Sequence, residues 1–472
     1  MNIRSTNLLI LIFWAFCYTL LGQKITINFN STPVAAPNIS LAPLKYDKDF
    51  AYSFTFDDAT DDVFTTAMPF FRGGFLKGTN ATYPGLSYTD GCGNSIPFKA
   101  GIAWNTANLA GINVHTGNVS GLLTWKQLDT LYSYDWDVFN HSYSHKSVSV
   151  LPNMTAADYM SEIDLNPPAI QAYTQKKIQT PFFVVPSGDT TYNKQAFSKD
   201  YKAVFNQSGN VIGFRGLNLS DDADFSSGVL HRQLFEESLT SLHVFDSIAA
   251  KSNATTHYWY NEFTHRIDDF SPGGFFSKFE LELKRMYYAH GKGGSDRMWM
   301  APLQQVAEYI VTSKNISYST KLIGSRLEIT FNLSKLPTWI QHHNITVKVN
   351  ANESFSTVDI SSGINTTFRG TGTNKIINVD FDNFLTSTQD PEVQNTTLNI
   401  YPNPAREKIF IDMPADIVFP ARLTVFDATG KILSTSEINN TTLQKDISDF
   451  PNGFYLIQVR DAQKIYSGKF VK

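Results

Sequence analysis

The sequence "FAYSFTFDDATDD", residues 50–62, combines a strand pattern with a cluster of acidic residues. Aromatic and small residues alternate over 50–56, which is the two-residue period of a β-strand. Two adjacent carboxylates, Asp57 and Asp58, follow directly. Adjacent acids repel each other, and an unpaired buried carboxylate is costly. We therefore expect a cationic partner at this strand end.

Segments with helix and strand patterns alternate across residues 45–315. "TWKQLDTLYSY" and "TAADYMSEIDL" each open with Thr at a helix cap, and "WDVFNH" and "TPFFVVP" have the length of short strands. A further helix is predicted with its cap at Ser295 or Asp296. This alternation predicts a parallel sheet or barrel with its catalytic groups at the carboxyl ends of the strands. The Gly- and Asn-rich stretch 85–121 is a candidate lid or substrate loop.

The N-terminus indicates a secreted protein. An apolar run from Leu8 to Leu21 follows one Arg and is too short to span a membrane, so residues 1–22 are predicted to be a signal peptide. Phe16 precedes Cys17 where a lipid-attachment site needs a small residue, so we do not predict a lipoprotein. Without that segment the chain has a single cysteine, Cys92, which allows no internal disulfide and is interpreted as a structural residue in a turn.

Changes of pattern divide the remaining chain. From Tyr318 onward, period-two segments separated by turn residues replace the helical patterns. The predicted segments are a catalytic domain at 23–315, a small β-sandwich module at 316–385, a polar linker at 386–397 and a second all-β module at 398–472. The net charge of −4 and pI of about 6.2 do not indicate nucleic-acid binding, and no later segment is predicted to cross a membrane.

The stretch "NHSYSH", residues 140–145, supplies a possible cation site. His141 and His145 are spaced i, i+4, so one helical turn would put both imidazoles on one side. Two His and one carboxylate make a three-ligand metal site with an open position for water, and a second carboxylate can act as base on that water. Either motif alone favours a surface pair or a solvated loop. Together, at strand ends of one secreted domain, they favour a metal site.

The order of "TFDD", H-S-x-x-H and an aromatic strand ending in Pro-x-Gly resembles the polysaccharide deacetylase family, also called NodB-homology or carbohydrate esterase family 4, over about 46–310. The resemblance implies an α/β fold with a distorted (β/α) barrel. It also implies Asp57 as catalytic base. The implied ligands of Zn²⁺, or another divalent transition metal, are Asp58, His141 and His145.

The family's third motif normally reads Arg-x-Pro-Tyr-Gly, and "VVPSG" at 184–188 keeps only Pro186 and Gly188. Val184 stands where the Arg orients the base, and Ser187 stands where the Tyr supplies a backbone N–H to the oxyanion. The resemblance therefore implies Pro186 and Ser187 at the substrate and oxyanion position.

Three further positions follow from the same resemblance. Arg215 or Arg266 could replace the missing Arg in space. "EFTHRID" offers His265 as the catalytic acid of a Leu-x-His motif, with His257 as the alternative. Trp299, in a late D-x-x-W match, is expected to lie at a pocket wall.

The tail contains "LNIYPNPAREKIFIDM", "VFDATGKIL" and "FPNGFYLIQVRDAQKIYSGKFVK". These segments resemble the type IX secretion (Por) C-terminal sorting domain. The resemblance implies the type IX secretion machinery as a partner, and a secreted or outer-surface location.

The sequence thus predicts a secreted, metal-dependent carbohydrate deacetylase. It would remove N- or O-acetyl groups from an acetylated polysaccharide or oligosaccharide through metal-activated water, with His265 protonating the leaving group. The sequence does not choose the glycan. The alternative is a catalytically weak or inactive glycan-binding surface protein on the same fold, which the missing Arg favours. A phosphoesterase is disfavoured because no second-metal carboxylate cluster is visible.

Overall fold

The structure is a computed structural model with a barrel, a β-sandwich and a C-terminal β-unit. The residues that it describes are 23–207, 211–212, 217–218, 225, 228–235, 241–253, 255–382, 398–413, 417, 420–427, 432–440, 442–460 and 465–472. The predicted signal peptide at 1–22, the linker at 386–397 and Arg215 lie outside them.

Eight parallel strands form the main sheet of the barrel. In sheet order they are Val211–Ile212, Val229–His231, Ala203–Asn206, Phe182–Val184, Asp137–Asn140, Gly101–Trp104, Phe50–Phe56 and Tyr258–Thr264. Two short parallel strands add to this order. Gln233–Leu234 pairs with Tyr258–Thr264, and Met298–Met300 pairs with Phe50–Phe56. Antiparallel Leu217–Asn218 completes the far edge.

The two edges of this sheet come close to each other. Ile212 ends one edge strand and Leu217 begins the other. Ile212 and Leu217 are five positions apart in the chain, so they lie at most about 18 Å from each other. The sheet must therefore curve until its two edges nearly meet. The predicted distorted (β/α) barrel is therefore confirmed.

The strand Phe50–Phe56 lies in the centre of the barrel sheet, and all seven of its residues are buried. Burial on both faces is the environment of a parallel strand covered by helices, which explains why its aromatic residues face both sides. Its neighbours, Gly101–Trp104 and Tyr258–Thr264, run parallel to it, so their carboxyl ends meet at one edge beside Asp57.

Among the described residues, seven α-helices accompany the barrel strands. They are Met68–Arg72, Trp125–Ser133, Ala156–Tyr173, Thr191–Ser198, Ser241–Lys251, Phe275–His290 and Leu303–Asn315. The predicted helix starts at Thr124 and Thr155 are confirmed, because each Thr accepts a hydrogen bond from the backbone N–H three residues later.

Two predictions about the barrel are wrong in detail. The stretch 85–121 is not one loop, because it contains a short hairpin and the barrel strand Gly101–Trp104. The Gly-rich composition of this stretch did not indicate the strand, whose four residues are all buried. The last barrel helix begins at Leu303 rather than at Ser295 or Asp296. The residues between form the strand Met298–Met300, because "MWM" packs in the core beside the central strand.

The β-sandwich has two four-stranded sheets around one hydrophobic core. One contains Ser317–Ile323, Arg326–Asn332, Gln23–Phe29 and Phe355–Ile360, and the other contains Asn38–Leu41, Asn344–Asn350, Lys375–Asp380 and Asn365–Arg369. The two N-terminal strands thus pair within the sandwich, although the sequence analysis grouped residues 23–41 with the catalytic domain. Their alternating apolar residues complete its core. The domain boundaries stay predictions.

The C-terminal unit is also a pair of sheets around its own core. Its strands are Asn399–Tyr401, Lys408–Asp412 and Thr442–Asp446 in one sheet, and Ile432–Ile438, Ala421–Asp427, Phe454–Arg460 and Ile465–Val471 in the other. In the described part of the chain, no helix combines the length and apolar character needed to cross a membrane.

A buried ionic cluster joins the barrel to the sandwich. The backbone N–H of His342 donates to Glu308 Oε2 over 2.8 Å, and His342 Nε2 lies 3.4 Å from Asp137 Oδ1. Burial acts to lower the pKa of His342, but the carboxylates of Asp137 and Glu308 outweigh it and raise that pKa to about 9. Burial raises the pKa of Glu308 to about 7. Both groups therefore hold protons more tightly when folded.

This cluster predicts a loss of stability on the alkaline side. The contribution of His342 is fully present below its unfolded pKa of about 6.5 and disappears as the pH rises through about 9. Thermal melting of the full chain should show a midpoint that falls between pH 6.5 and 9. His342→Asn should melt lower at pH 6.5 and show a flatter pH dependence over this window. Equal slopes for both proteins would contradict the assignment.

Candidate metal centre

Asp57 is buried at the end of the central strand and forms an ion pair with Arg232. Arg232 Nη1 and Nη2 donate to Asp57 Oδ1 and Oδ2 over 2.8 and 2.9 Å, and the two side chains are 1% and 3% exposed. The guanidinium carbon lies 4.2 Å from the ring centroid of Phe263. This bidentate ion pair fixes the carboxylate in one orientation and neutralises its charge.

Asp58 is turned toward the same site by an unusual backbone. Asp58 and Ala59 have φ angles of 64° and 50°, which is the left-handed region that residues with a Cβ rarely occupy. This turn directs the Asp58 side chain toward the two histidines. Asp58 Oδ1 lies 3.5 Å from His141 Nε2 and 3.4 Å from His145 Nε2.

His141 follows the strand Asp137–Asn140 and is held at both its backbone and its ring. Its N–H donates to the Trp104 carbonyl over 3.0 Å, and its Nδ1 lies 2.8 Å from the Val184 carbonyl. A carbonyl can only accept, so Nδ1 carries the proton and Nε2 presents its lone pair toward Asp58. That is the tautomer a metal ligand needs.

The predicted helical turn from His141 to His145 is wrong. Ser142 and His145 have φ angles of 65° and 55°, so the segment is a loop with two left-handed residues. The N–H of His145 donates to Ser142 Oγ over 3.0 Å, which closes the loop. The two rings still lie on one side, with centroids 4.9 Å apart, as the i, i+4 spacing predicted.

The donor set fits a divalent metal ion. One ligand atom each from Asp58, His141 and His145 lies within 4.8 Å of the other two. Asp58 Oδ1 is buried and has no hydrogen-bond partner among the described residues, so it is a buried acceptor without a donor. Two imidazoles and one carboxylate are a common three-ligand set for zinc.

The charges of the three residues are coupled. Burial acts to raise the pKa of Asp58, but the positive charges that His141 and His145 carry when protonated outweigh it and hold that pKa well below its usual value. Burial, followed by the neighbouring His141, lowers the pKa of His145. An anionic Asp58 beside a neutral His145 is the protonation state that binds a metal.

A network that the sequence analysis missed supports the histidine loop. Asn140 Nδ2 donates over 3.0 Å to the Ile163 carbonyl. That carbonyl lacks its usual helical donor, because Pro167, four residues later, has no N–H. Asn140 Oδ1 accepts from the Ser142 N–H over 2.9 Å and from Asn166 Nδ2 over 2.8 Å. Pro167 and Pro168, inside an otherwise helical pattern, were the sequence feature that could have indicated this network.

Glu162, on the same helix, holds the other half of the loop. Its Oε2 accepts from the Ser144 N–H over 2.7 Å, and its Oε1 accepts from Ser144 Oγ over 2.6 Å. Lys146 Nζ lies 3.3 Å from Oε1. Residues on both sides of His145 are therefore fixed by one buried carboxylate.

His265 and His257 lie at opposite ends of one strand. Tyr258–Thr264 runs parallel to the central strand with Thr264 opposite Phe56, so His265 lies beside Asp57. His257 is eight residues away, roughly 25 Å along an extended strand, and its Nδ1 lies 2.9 Å from the Asp49 carbonyl. Of the two, only His265 is placed at the edge that carries the site.

The loop of Asp62 anchors the turn that follows His265. The backbone N–H of Ile267 and the hydroxyl of Thr60 both donate to the buried Asp62 carboxylate. Thr60 Oγ1 also lies 2.8 Å from the His265 carbonyl. Asp62 and Thr60 thus tie the strand that carries His265 to the loop that carries Asp58.

The third motif lies beside the site without an arginine of its own. Pro186 is buried, and Ser187 is exposed with a φ angle of 53°. Of the two arginines named from the sequence, Arg266 pairs with Asp268 over 3.6 Å at the surface. The arginine on Asp57 is instead Arg232, which directly follows the strand Val229–His231. A charged residue after a short apolar strand was its sequence signal.

Two other named residues lie away from the site. Trp299 is buried opposite Ala51, six residues or roughly 20 Å before Asp57, with its ring 5.4 Å from that of Tyr309. The structure therefore places Trp299 in the core rather than in a pocket wall, because its short strand pairs with the amino half of the central strand. Burial raises the pKa of Cys92 to about 11, which fits a structural thiol.

Comparison with known families agrees with this site. Residues 45–205 match the polysaccharide deacetylase family, and residues 399–472 match the secretion system C-terminal sorting domain. The chain therefore contains a polysaccharide deacetylase domain and a type IX C-terminal sorting domain. The sorting domain implies secretion or an outer-surface location. No curated protein matches the chain.

Solved structures that match part of the chain include a Streptococcus pyogenes deacetylase, PplD, in complex with acetate; it is 16% identical over 38% of this chain and 62% of its own, with a TM-score of 0.26. The match thus spans less than two thirds of that protein. The Xyl-CE4 domain of a xylanase from the Trinervitermes trinervoides hindgut metagenome is 13% identical, over 55% and 89%, with a TM-score of 0.28. An immunoglobulin-like β-sandwich protein from Bacteroides vulgatus is 16% identical, over 18% and 91%, with a TM-score of 0.15.

The buried pair of Asp57 and Arg232 predicts a specific pattern of stability. Arg232→Met should lower the free energy of unfolding of the barrel by about 3–5 kcal/mol, because it leaves a buried carboxylate without its partner. Adding Asp57→Asn should restore much of that loss. Arg266→Met, at a half-exposed pair, should change stability by about 0.5 kcal/mol or less.

Urea denaturation followed by circular dichroism compares the wild type, Arg232→Met, Asp57→Asn, the double variant and the control Arg266→Met. Additive effects of Arg232→Met and Asp57→Asn would contradict the pair.

Proposed function

We propose that this protein is a secreted, metal-dependent carbohydrate deacetylase that removes acetyl groups from a polysaccharide. The observation that supports this most is the separation of two neighbouring carboxylates. Asp58 joins His141 and His145 in a ligand set, whereas Asp57 is held apart by Arg232. A metal site with a fixed, separate base is what hydrolysis of an ester or amide needs.

Asp58, His141 and His145 would hold the metal, and zinc suits two imidazole nitrogens and one carboxylate oxygen. When bound, the ion supplies a Lewis acid that polarises the acetyl carbonyl and makes water more acidic. The sorting domain implies secretion or an outer-surface location, where a deacetylase would meet extracellular polysaccharides.

Asp57 is the proposed general base. Its Oδ2 lies 3.9 Å from His141 Nε2, so the carboxylate borders the ligand set without joining it. Arg232 holds both Asp57 oxygens, and this fixed geometry lets one of them take a proton from the attacking water without reorganisation. Arg232 is thus the proposed positioning residue in place of the missing motif arginine.

His265 is the proposed general acid. It stands beside Asp57 at the strand end, half-buried, and its backbone is fixed through Thr60 and Asp62. Protonation of the leaving amine or alcohol by an imidazolium completes the acyl transfer. The exposed backbone at Ser187 could donate an N–H to the oxyanion.

The alternative of an inactive glycan-binding protein loses its main support. It depended on the arginine missing from motif three, and Arg232 supplies that guanidinium from another strand. A protein that only binds glycans has no need of a buried base next to a metal ligand set.

Acetate release tests the proposed function. The zinc-loaded chain should release acetate from at least one of N-acetylglucosamine oligomers, acetylated xylan and acetylated alginate. Asp57→Asn should keep its zinc but lose ~10²–10⁴-fold in rate, the usual worth of a positioned base. Asp58→Asn should bind zinc weakly, and excess zinc should restore part of its activity.

Asp61→Asn is the matched control for these variants, because it makes the same change in the same loop outside both roles. It should stay close to the wild-type rate. No acetate from any of the three substrates, or equal zinc loss in Asp57→Asn and Asp58→Asn, would contradict the assigned roles.

A further inference from the structure

A cleft of about 870 Å³ lies between the barrel and the sandwich, away from the metal centre. The barrel contributes part of the helix Ala156–Tyr173 and the segments 179–181 and 199–202, and the sandwich contributes residues 333–341. The segment 179–181 leads into the amino end of the strand Phe182–Val184, whose carboxyl end contacts His141. The cleft and the metal centre thus lie at opposite ends of one strand.

The walls of the cleft offer rigid apolar surfaces. Trp339 packs against Phe182 with ring centroids 5.9 Å apart, and Tyr201 and Pro337 also line the space. Aromatic rings present flat faces on which the C–H faces of a sugar ring can pack. The volume lies within the range of small-ligand sites, and junctions between domains are a frequent place for them.

The charges at the cleft are paired with each other. Lys199 Nζ lies 2.5 Å from Asp164 Oδ2, and Lys202 Nζ lies 2.6 Å from Asp200 Oδ2. His343 Nδ1 lies 3.1 Å from Asp382 Oδ1, so this carboxylate also has a partner. A phosphate or a polyanionic chain would have to break these pairs, whereas a neutral ligand would not. The cleft therefore favours an uncharged, hydroxyl-rich ligand.

Polar groups in the walls can meet such hydroxyls. Gln171 Nε2 donates to Gln179 Oε1 over 3.1 Å, and Gln341 Oε1 accepts from the Tyr132 hydroxyl over 3.2 Å, so each amide keeps further donor or acceptor capacity. Thr180 is only 7% exposed, and its hydroxyl has no hydrogen-bond partner in the described part of the chain. This hydroxyl is shielded from solvent, so the Thr180 side chain must rotate toward the cleft before a ligand hydroxyl can satisfy it.

We infer that this cleft is a second, non-catalytic saccharide site that binds a neutral segment of a glycan chain. The choice of a saccharide rests on the proposed function. The paired charges and polar groups of the walls indicate that the saccharide is neutral. Such a site would keep the enzyme on a long polymer while the metal centre acts on acetyl groups elsewhere along it, which raises the local substrate concentration.

Isothermal titration calorimetry of the full chain tests the site, with xylohexaose, cellohexaose and the N-acetylglucosamine hexamer as neutral probes and the galacturonic acid hexamer as the anionic one. At least one neutral probe should bind more tightly than the anionic one. Trp339→Leu should raise its Kd by about tenfold or more, since buried aromatic anchors dominate binding. Tyr288→Leu, which removes an aromatic residue 64% exposed on another helix, should leave Kd unchanged.

Thr180→Val gives a sharper test, because it keeps the shape and removes only the hydroxyl. It should raise Kd by about fivefold without lowering the melting midpoint, since an unpaired buried hydroxyl does not stabilise the fold. Thr312→Val is the matched control: its hydroxyl is also buried without a partner among the described residues, but it does not line the cleft.

Absence of binding by every neutral probe would overturn the inference. Unchanged affinity in both Trp339→Leu and Thr180→Val would overturn it as well, because the probes would then bind elsewhere. Acetate release from a small soluble substrate separates this result from the proposed function, and Trp339→Leu should leave that rate unchanged. A wild-type chain that binds through Trp339 but releases no acetate would refute the deacetylase proposal and keep the saccharide site.

Discussion

Four aspartates follow a fully buried strand within six residues, and the structure depends on giving the carboxylates that it buries different partners. Asp57 receives the guanidinium of Arg232, and Asp62 receives the Ile267 N–H and the Thr60 hydroxyl. The Asp58 side chain is 37% exposed, but its buried Oδ1 faces two imidazoles and has no hydrogen-bond donor among the described residues. Because a buried carboxylate oxygen without a partner is costly, this unequal distribution marks Asp58 as the one that needs a cation.

The surrounding fold holds these carboxylates and the histidines beside them in position. The left-handed backbone at Asp58 separates it from Asp57, and the parallel pairing with Tyr258–Thr264 brings His265 to the same edge. On the other side, Asn140 and Glu162 hold the loop that presents the histidines, and a proline in the neighbouring helix frees the carbonyl that Asn140 uses. Strain in the backbone at the site is thus offset by buried hydrogen bonds beside it.

The sequence predicted those parts of the site that lie close together along the chain. "TFDD" and the two histidines carry their spacing and strand context in a few residues, so the ligand set and the barrel could be predicted. The pairing of Arg232 with Asp57 could not, because the two residues lie 175 positions apart and meet only through the strand order of the barrel. Trp299 was misplaced for the same reason, since a short motif does not reveal which end of a strand it pairs with. The N-terminal strands, which complete the sandwich, show the same dependence on long-range pairing.

X-ray diffraction at the zinc absorption edge, from zinc-soaked crystals of the full chain, tests whether Asp58 rather than Asp57 is the metal ligand. We expect one strong anomalous peak in the barrel. That peak should lie about 2.0–2.2 Å from an oxygen of Asp58 and from Nε2 of His141 and His145, with Asp57 still paired to Arg232. A zinc ion ligated by Asp57 with Arg232 displaced, or no peak at these three residues, would contradict the division of roles between the two neighbouring carboxylates.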